Sequence, residues 1–252
     1  YPSNFNLVKS FGNAAGDYGI AAATNAKGTT YAYIFQHYGS NSTGWNDIQM
    51  PIGIGVLDHS TGEYEIKYTT DTFHLFQYNQ LFYDMAYDPV TDKIYACEFA
   101  YTETGEYTGQ MNIYTIDPET CEPTLIGKAD SVFVAMAADN GHVYGLTQNY
   151  DEESQMAVTS LVKFDPTKSE NGVFKTELAA NIFGGENIAY AVQTMEFDLT
   201  THKLYWLGYR AYSETNIKGF IAEINTKNGK LNNETEIPYN AQYLGLTIPY
   251  QL

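Results

Sequence analysis

Two sets of equivalently placed residues recur along the chain, and this repetition constrains the fold more than any other feature of the sequence. The first set consists of tyrosines that follow a turn: Tyr31, Tyr95, Tyr144 and Tyr205. The second set consists of polar residues that end an apolar run: Asp58, Asp117, Asp165 and Asn225. Successive members are spaced by 64, 49 and 61 residues in the first set and by 59, 48 and 60 in the second. Because the two spacings vary together, they indicate one structural unit repeated four times.

Each repeat has the pattern of four short strands. In the second repeat these are LFYDMAYD, KIYACEFA, MNIYTID and PTLIGK, which are rich in β-branched and aromatic residues and end at turn residues. Helical periodicity is absent from almost the whole chain. The second strand of each repeat, most clearly KLYWLGY, is apolar at consecutive positions, which is typical of a sheet covered on both faces. The sequence therefore predicts an all-β chain, a β-propeller of four-stranded antiparallel blades.

The repeat motifs also resemble those of a known group of propellers. Written with h for an apolar residue, they read hhxxDxxTxxhY and hhxIDxxTG and cover residues 19–250. They resemble the secreted YVTN-like and quinoprotein-like propellers, whereas the Gly-His and Trp-Asp pairs of WD40 blades are missing. The Tyr- and Asn-rich composition, the single arginine and the closing YLGLTIPY resemble propeller domains of Bacteroidota surface or secreted proteins. This resemblance implies an extracellular, cell-surface or periplasmic location.

The repeats predict the domain organisation and leave the number of blades open. We expect a single domain over residues 1–252, with repeats at about 19–70, 81–128, 132–180 and 190–239. Residues 4–12 have the pattern of an outermost strand and residues 241–250 that of an innermost strand. Two arrangements fit: a fifth, incomplete blade closed by the two termini, or a part of a larger propeller. We expect the first, because termini that share a blade leave no open sheet edge.

Charge excludes several classes of partner. The formal net charge is −17, from 13 Lys and Arg against 30 Asp and Glu. Such a chain repels phosphate backbones and anionic membrane surfaces, so we expect neither nucleic-acid binding nor membrane insertion. No apolar run approaches the length that spans a membrane. The acids in the loops suggest a neutral or cationic ligand, and further domains in a parent chain are possible partners.

Long segments are expected on one face of the propeller. They are residues 36–51, 101–109, 148–157 and 209–219, whereas the connections expected on the opposite face are tight turns. The aromatic residues predicted to bind a ligand there are Tyr38, Trp45, Tyr101, Tyr107, Tyr150, Tyr209 and Tyr212. Aromatic rings beside amides and carboxylates suit sugars, and tyrosines equally suit protein partners. The alternative is that these rings pack the rims of neighbouring blades.

Three polar residues interrupt the apolar pattern of the inner strands: Asp84, Gln193 and Glu196. They could line the central channel as solvated side chains. As candidate catalytic residues, Asp84 and Glu196 could act as acid and base if the channel separated their pKa values.

Metal and thiol chemistry are weakly indicated. The run Asp151, Glu152 and Glu153 is a candidate Ca²⁺ site, although it lacks the regular loop of an ion cradle, and a solvated charge run is the alternative. No other cofactor is predicted. Cys97 and Cys121 form either a disulfide or two buried free thiols, since the sequence does not fix their separation.

Three functional hypotheses follow from these patterns. The leading one is a non-catalytic extracellular or periplasmic module that binds a glycan or a protein through its Tyr- and Asn-rich loops. The second is a small propeller enzyme of the lyase, lactonase or glycosidase type, with carboxylates at the central channel. The third is a structural module of a larger surface protein.

Overall fold

The computed structural model of the protein describes residues 17–36, 50–58, 61, 64–73, 82–151, 156–182, 188, 193–213, 216–237 and 245–248. These residues form strands joined by turns and irregular segments. None of them belongs to a helix long and apolar enough to cross a membrane.

The strands form four antiparallel sheets, each the blade of a propeller. Blade 1 contains β1 (Asp17–Thr24), β2 (Thr30–Gln36), β3 (Met50–Leu57) and β4 (Tyr64–Phe73). Blade 2 contains β5 (Asp84–Asp88), β6 (Lys93–Tyr101), β7 (Tyr107–Ile116) and β8 (Pro123–Ala129). Blade 3 contains β9 (Ala135–Asp139), β10 (His142–Asp151), β11 (Met156–Phe164) and β13 (Glu177–Asn181). Blade 4 contains β14 (Thr194–Asp198), β15 (Lys203–Ser213), β16 (Asn216–Ile224) and β17 (Leu231–Glu236). The predicted all-β propeller of four-stranded blades is confirmed.

The inner strands of neighbouring blades pack against one another around the centre. β5 contacts both β1 and β9, and β9 also contacts β14. Every residue of β5 and β9 is buried, because each strand is covered on both faces. Three methionines expected to be equivalent, Met85, Met136 and Met195, are all fully buried and pack the core.

The four repeated tyrosines occupy the same register in every blade. Each lies opposite one inner-strand residue, in the pairs Tyr31 with Ala23, Tyr95 with Ala86, Tyr144 with Ala137 and Tyr205 with Glu196. A small alanine thus stands opposite the tyrosine in three blades and a glutamate in the fourth. This exception places an acid at a position that is otherwise apolar.

The polar residues of the second repeated set form the turns expected from their chemistry. Asp117 Oδ1 accepts hydrogen bonds from the N–H groups of Glu119 and Thr120, and from Thr120 Oγ1. Asp165 Oδ1 likewise accepts hydrogen bonds from the N–H group and the Oγ1 hydroxyl of Thr167. These side chains satisfy turn N–H groups that would otherwise lack a partner.

One short strand was not predicted from the sequence. β12 (Val173–Phe174) follows β11 in the chain but pairs in parallel with β8, the outer strand of blade 2. The Phe174 ring is buried and stacks on Phe164 at 5.1 Å. A segment of blade 3 therefore covers an edge of blade 2 that would otherwise be open to pairing with another chain.

The expected terminal strands have different outcomes. Residues 4–12 lie outside the described residues, and a fifth blade is not seen among those that are described. Residues 245–248 lie between the inner strands of blades 4 and 1. The Leu246 N–H donates to Thr194 Oγ1 of β14 over 3.1 Å, and Gly245 lies against Ala21 and Ala22 of β1.

The contact of Gly145 with Phe133 yields a stability prediction. A Cβ atom at Gly145 in β10 would collide with the ring of Phe133, which is 1% exposed. We expect Gly145→Ala to lower the free energy of unfolding by about 1–3 kcal/mol, since a close-packed interior has no room for an added methyl group. Thermal unfolding followed by circular dichroism measures the loss, and adding Phe133→Leu should restore part of it. An unchanged melting temperature in Gly145→Ala would contradict the packing described.

Candidate functional site

Antiparallel strand order divides the connections of each blade between two faces. In blade 2 the β5–β6 and β7–β8 turns lie at one end of the strands, which we call the turn face, and the β6–β7 connection lies at the other end, the loop face. The same division holds for blades 1 and 4. Candidate binding residues on the β6–β7 and β15–β16 hairpins therefore lie on the loop face.

A row of four aromatic side chains runs across the loop face of blade 2. The Tyr83 and Phe99 ring centroids are 4.3 Å apart, those of Phe99 and Tyr107 are 5.5 Å apart, and those of Tyr107 and Tyr101 are 5.9 Å apart. Tyr83 and Phe99 are partly buried, whereas Tyr101 is 37% and Tyr107 50% exposed. We call these four residues the aromatic row. It begins beside the inner strand β5 and ends on the hairpin, so it offers exposed ring surface on a packed base.

Local hydrogen bonds hold the hairpin that carries the exposed tyrosines. Tyr101 and Tyr107 are register partners, and the connection between them is closed by the Thr102 N–H donating to the Glu106 carbonyl over 2.8 Å. Gly105 adopts a φ of 82°, which favours glycine, and Thr108 Oγ1 donates to the Ala100 carbonyl. The turn chemistry of Thr and Gly thus keeps the two rings side by side.

The other predicted aromatic residues are not brought to the aromatic row. Tyr212 is 56% exposed on the β15–β16 hairpin of blade 4, near Ile217, which is 45% exposed. Tyr209 is only 5% exposed, so little of its ring is open to a ligand. For Tyr150 the structure gives only its place in β10, opposite Ala157. Tyr38 and Trp45 lie outside the described residues.

The candidate metal residues are largely outside the described part of the chain. Asp151 is the last residue of β10, and Glu152 and Glu153 follow it among the residues that are not described. Among the described residues, no group of three or more His, Cys, Asp and Glu side chains could hold a metal ion. The two cysteines are free thiols, both buried.

Asp84 lies at the centre of the propeller, where it joins three blades. Its Oδ1 accepts from the Met85 N–H at 3.0 Å and from Thr194 Oγ1 at 3.2 Å. Its Oδ2 accepts from the Met136 N–H at 2.8 Å, and the Met195 N–H is a further donor. With 1% of its surface exposed, the carboxyl group is enclosed by donors from blades 2, 3 and 4.

Glu196 and Gln193 lie near Asp84 and are equally enclosed. Glu196 is 2% exposed, and its Oε2 atom has no hydrogen-bond partner among the described residues. Gln193 is fully buried, and its Oε1 accepts from Trp206 Nε1 at 3.0 Å. All three inner-strand polar residues are therefore interior groups that join or pack blades.

The environments of the two carboxyl groups differ. Burial raises the pKa of both groups well above their ordinary values, and the proximity of Asp84 raises that of Glu196 further. Hydrogen bonds from Met136, Met85, Thr194 and Met195 oppose this rise in the pKa of Asp84, whereas a single bond from Phe197 opposes it in Glu196. Glu196 therefore holds a proton more readily, and Asp84 is the group that ionises first.

A third buried acid, Glu98, was not identified from the sequence. It lies on β6, where Asn112 Nδ2 donates to its Oε1 at 3.2 Å and the Tyr114 hydroxyl donates a second bond. Its Oε2 and the Asn112 Oδ1 are buried without a partner among the described residues. Burial raises the pKa of Glu98 to about 7. Its sequence signal is a charged residue within the apolar run KIYACEFA, opposite an asparagine on the next strand.

The comparisons with known proteins concern the fold. No family model matches the sequence, and no curated protein matches it. A solved protein of unknown function from Dyadobacter fermentans is 7% identical, with a TM-score of 0.48, over 92% of this chain and 72% of that one. A luciferin-regenerating enzyme is 10% identical, with a TM-score of 0.47, over 90% and 78%. An alpha-L-arabinofuranosidase from Clostridium thermocellum is 11% identical, with a TM-score of 0.43, over 86% and 93%. The resemblance to YVTN-like and quinoprotein-like propellers stays a prediction.

Two isosteric substitutions test which of the two central carboxyl groups, Asp84 or Glu196, holds a proton more readily. Asp84→Asn places an amide NH₂ among donors that need an acceptor, so we expect it to lower the free energy of unfolding by about 1–3 kcal/mol or more. Glu196→Gln replaces a protonated carboxyl group with a neutral amide, so we expect a much smaller change. Chemical denaturation of both variants at neutral pH measures the difference. Equal losses in the two variants would contradict the assignment.

Glu98 makes the stability of the fold depend on pH. Its pKa is raised from 4.5 to about 7, so the folded state binds its proton more tightly than the unfolded state. The resulting stabilisation is complete below about pH 4.5 and is lost as the pH rises through about 7. Over that window we expect Glu98→Gln to gain up to about 3 kcal/mol of stability relative to the natural protein.

Denaturation curves at several pH values measure this effect. Glu106→Gln is the matched control, since Glu106 is exposed in the β6–β7 connection. A parallel pH dependence in the natural protein and in Glu98→Gln would show that Glu98 is not the group responsible.

Proposed function

We propose that the protein is a binding module that holds a carbohydrate against the aromatic row on the loop face of blade 2. The observation that carries the proposal is the pair of exposed rings, Tyr101 and Tyr107, joined through an edge-to-face contact of Tyr107 with Phe99 to the more buried end of the aromatic row. The CH faces of a sugar pack on aromatic rings, and nearby polar groups hold its hydroxyls. Such polar groups are available in the connection, which contains Thr102, Thr104 and the acids Glu103 and Glu106.

The rigidity of the hairpin supports this proposal. Side chains fixed by a hydrogen-bonded turn lose little conformational freedom on binding, and tyrosine has few rotatable bonds. A ring pair already in place therefore binds a ligand without a large ordering cost. An extracellular or periplasmic location, where glycans are abundant, is part of this proposal.

A protein ligand is the other outcome consistent with exposed tyrosines. The neighbouring acids favour a neutral or cationic ligand in either case. A glycan array and a pull-down from surface extracts, performed side by side, distinguish a sugar from a protein. Failure to find either ligand would favour a structural module within a longer chain.

A catalytic function of the lyase, lactonase or glycosidase type has one observation in its favour. Asp84 and Glu196 are neighbouring carboxyl groups with unequal environments, which is a property of acid–base pairs. Both are almost completely enclosed, and the oxygens of Asp84 already accept bonds from the inner strands. Binding is therefore the better supported function. An activity abolished by Glu196→Gln in a normally folded protein would favour the enzyme.

The binding proposal predicts the effect of removing the two exposed rings. For the glycan that the array identifies, the double variant Tyr101→Ala and Tyr107→Ala should bind at least about tenfold more weakly, because stacked aromatic contacts dominate such interfaces. Calorimetric titration measures the affinity. Tyr212→Ala, an equally exposed tyrosine on blade 4, is the matched control and should bind normally. Unchanged affinity in the double variant would overturn the proposal.

A further inference from the structure

A cavity lies on the opposite side of the propeller from the aromatic row. It opens on the turn face between blades 1 and 2, has a volume of about 420 Å³, and is bounded by the β1–β2, β5–β6 and β7–β8 turns. We call it the turn-face cleft and define it by Lys27, Lys93, Thr115, Thr124, Ile94 and Ile116, which line it. Cavities of this size hold small organic molecules.

Hydrogen bonds between the two blades fix the shape of the cleft. The Tyr31 hydroxyl of blade 1 donates to the Pro118 carbonyl of blade 2 at 3.1 Å. The Tyr87 hydroxyl of blade 2 accepts from the Ala26 N–H of blade 1 and donates to Asp92 Oδ1 at 2.8 Å. Both walls are therefore joined across the blade boundary, and the cleft is formed before any ligand binds.

The two acids that line the cleft are engaged within the protein. Asp92 accepts the Tyr87 hydroxyl bond, and Asp117 Oδ1 accepts three bonds within its own turn. The bonds from Thr120 and Glu119 lower the pKa of Asp117, to which Lys93 adds a smaller contribution at longer range. Neither acid forms an ion pair with a lysine of the cleft among the described residues.

The lysines of the cleft lack the ion pair that a lysine at an equivalent position in blade 4 forms. Lys93 is the first residue of β6, as Lys203 is of β15. The Lys203 ammonium group binds Glu223 on the next strand at 3.1 Å. Glu223 is the register partner of Tyr205, and the register partner of the equivalent Tyr95 in blade 2 is Thr115. Within the described part of the chain, neither Lys93 nor Lys27 has an ion-pair partner. Blade 2 thus lacks the acid that neutralises this position in blade 4.

Hydroxyl groups and an apolar surface complete the cleft. Thr115 and Thr124 are register partners on β7 and β8, and neither hydroxyl forms a hydrogen bond with a described residue. Ile94 and Ile116 line the cleft as almost fully buried side chains, 3% and 2% exposed, and so form a small apolar floor. The cleft thus offers two lysine ammonium groups, two threonine hydroxyls and a small apolar floor. This combination suits a small, hydroxylated molecule that carries a carboxylate.

We propose that the turn-face cleft is a second ligand site, independent of the aromatic row, and that it binds an acidic monosaccharide of the uronic acid class. The ammonium groups of Lys27 and Lys93 hold the carboxylate, and the hydroxyls of Thr115 and Thr124 bond the sugar hydroxyls. A neutral sugar of the same size lacks the group that the lysines recognise. The site therefore takes a ligand whose charge has the same sign as the net charge of the chain, which only locally placed lysines allow.

The test compares glucuronate with glucose by calorimetric titration or ligand-observed NMR on the full chain. We expect glucuronate to bind, glucose to fail at about 10 mM, and Lys27→Gln or Lys93→Gln to weaken glucuronate binding about tenfold, as for the loss of one charge-assisted hydrogen bond. Lys203→Gln is the matched control and should bind as the natural protein does. Thr115→Glu should abolish binding, because it copies the blade 4 arrangement and neutralises Lys93.

Several results would overturn the proposal. They are no glucuronate binding at about 10 mM, equal binding of glucose, equal binding of inorganic phosphate, or an affinity unaffected by both cleft lysine variants. Melting curves of the variants confirm that they fold. The double variant of Tyr101 and Tyr107 should retain glucuronate binding, so failure of this proposal and failure of the aromatic-row proposal are distinguishable.

Discussion

The carboxyl group of Asp84 is the interaction on which the arrangement of the blades most depends. The inner strands of neighbouring blades belong to separate sheets, so side chains contribute much of what joins them. Asp84 accepts bonds from its own blade and from blades 3 and 4, and Thr194 relays a further bond from the Leu246 N–H. Four donors around one buried group offset part of the cost of removing its charge from water, although burial still raises its pKa. The chain segment at residues 245–248 is thereby tied to the same centre.

The same repeat that makes the blades equivalent also shows where they differ. Glu196 stands where three blades have alanine, and Thr115 stands where blade 4 has Glu223. Each exception changes which ionisable groups meet at a defined place. One places a second buried acid beside Asp84, and the other leaves Lys93 without an ion-pair partner among the residues that the structure describes. Departures from an internal repeat thus identify candidate sites in a chain that no family model matches.

Much of the fold could be predicted from the sequence because it depends on local patterns. Strand length, consecutive apolar positions and Asp-based turns all act over a few residues, and the spacing of Tyr31, Tyr95, Tyr144 and Tyr205 gave the correct register. The pairing of β12 with β8 could not be predicted, since it joins segments of two blades through the burial of Phe174. The burial of Asp84 and Glu196 was equally out of reach, because channel width depends on how the blades close.

The candidate sites were likewise only partly predictable from the sequence. That Tyr101 and Tyr107 lie on the loop face followed from strand order, but the row of ring contacts that joins them to Phe99 and Tyr83 required the structure. The turn-face cleft had no sequence signal, since its lysines and threonines come from the β1–β2 turn and from strands β6, β7 and β8. The anionic ligand inferred for the cleft also differs from the neutral or cationic ligand that the net charge of −17 suggests for the whole chain.

The most direct test of the account is an NMR titration of the protein, labelled at its tyrosine rings, with a glycan that it binds. We expect ligand-induced shifts at Tyr101 and Tyr107, with the buried rings of Tyr31 and Tyr209 unchanged. Shifts confined to tyrosines outside the aromatic row, with Tyr101 and Tyr107 unaffected at saturation, would contradict it.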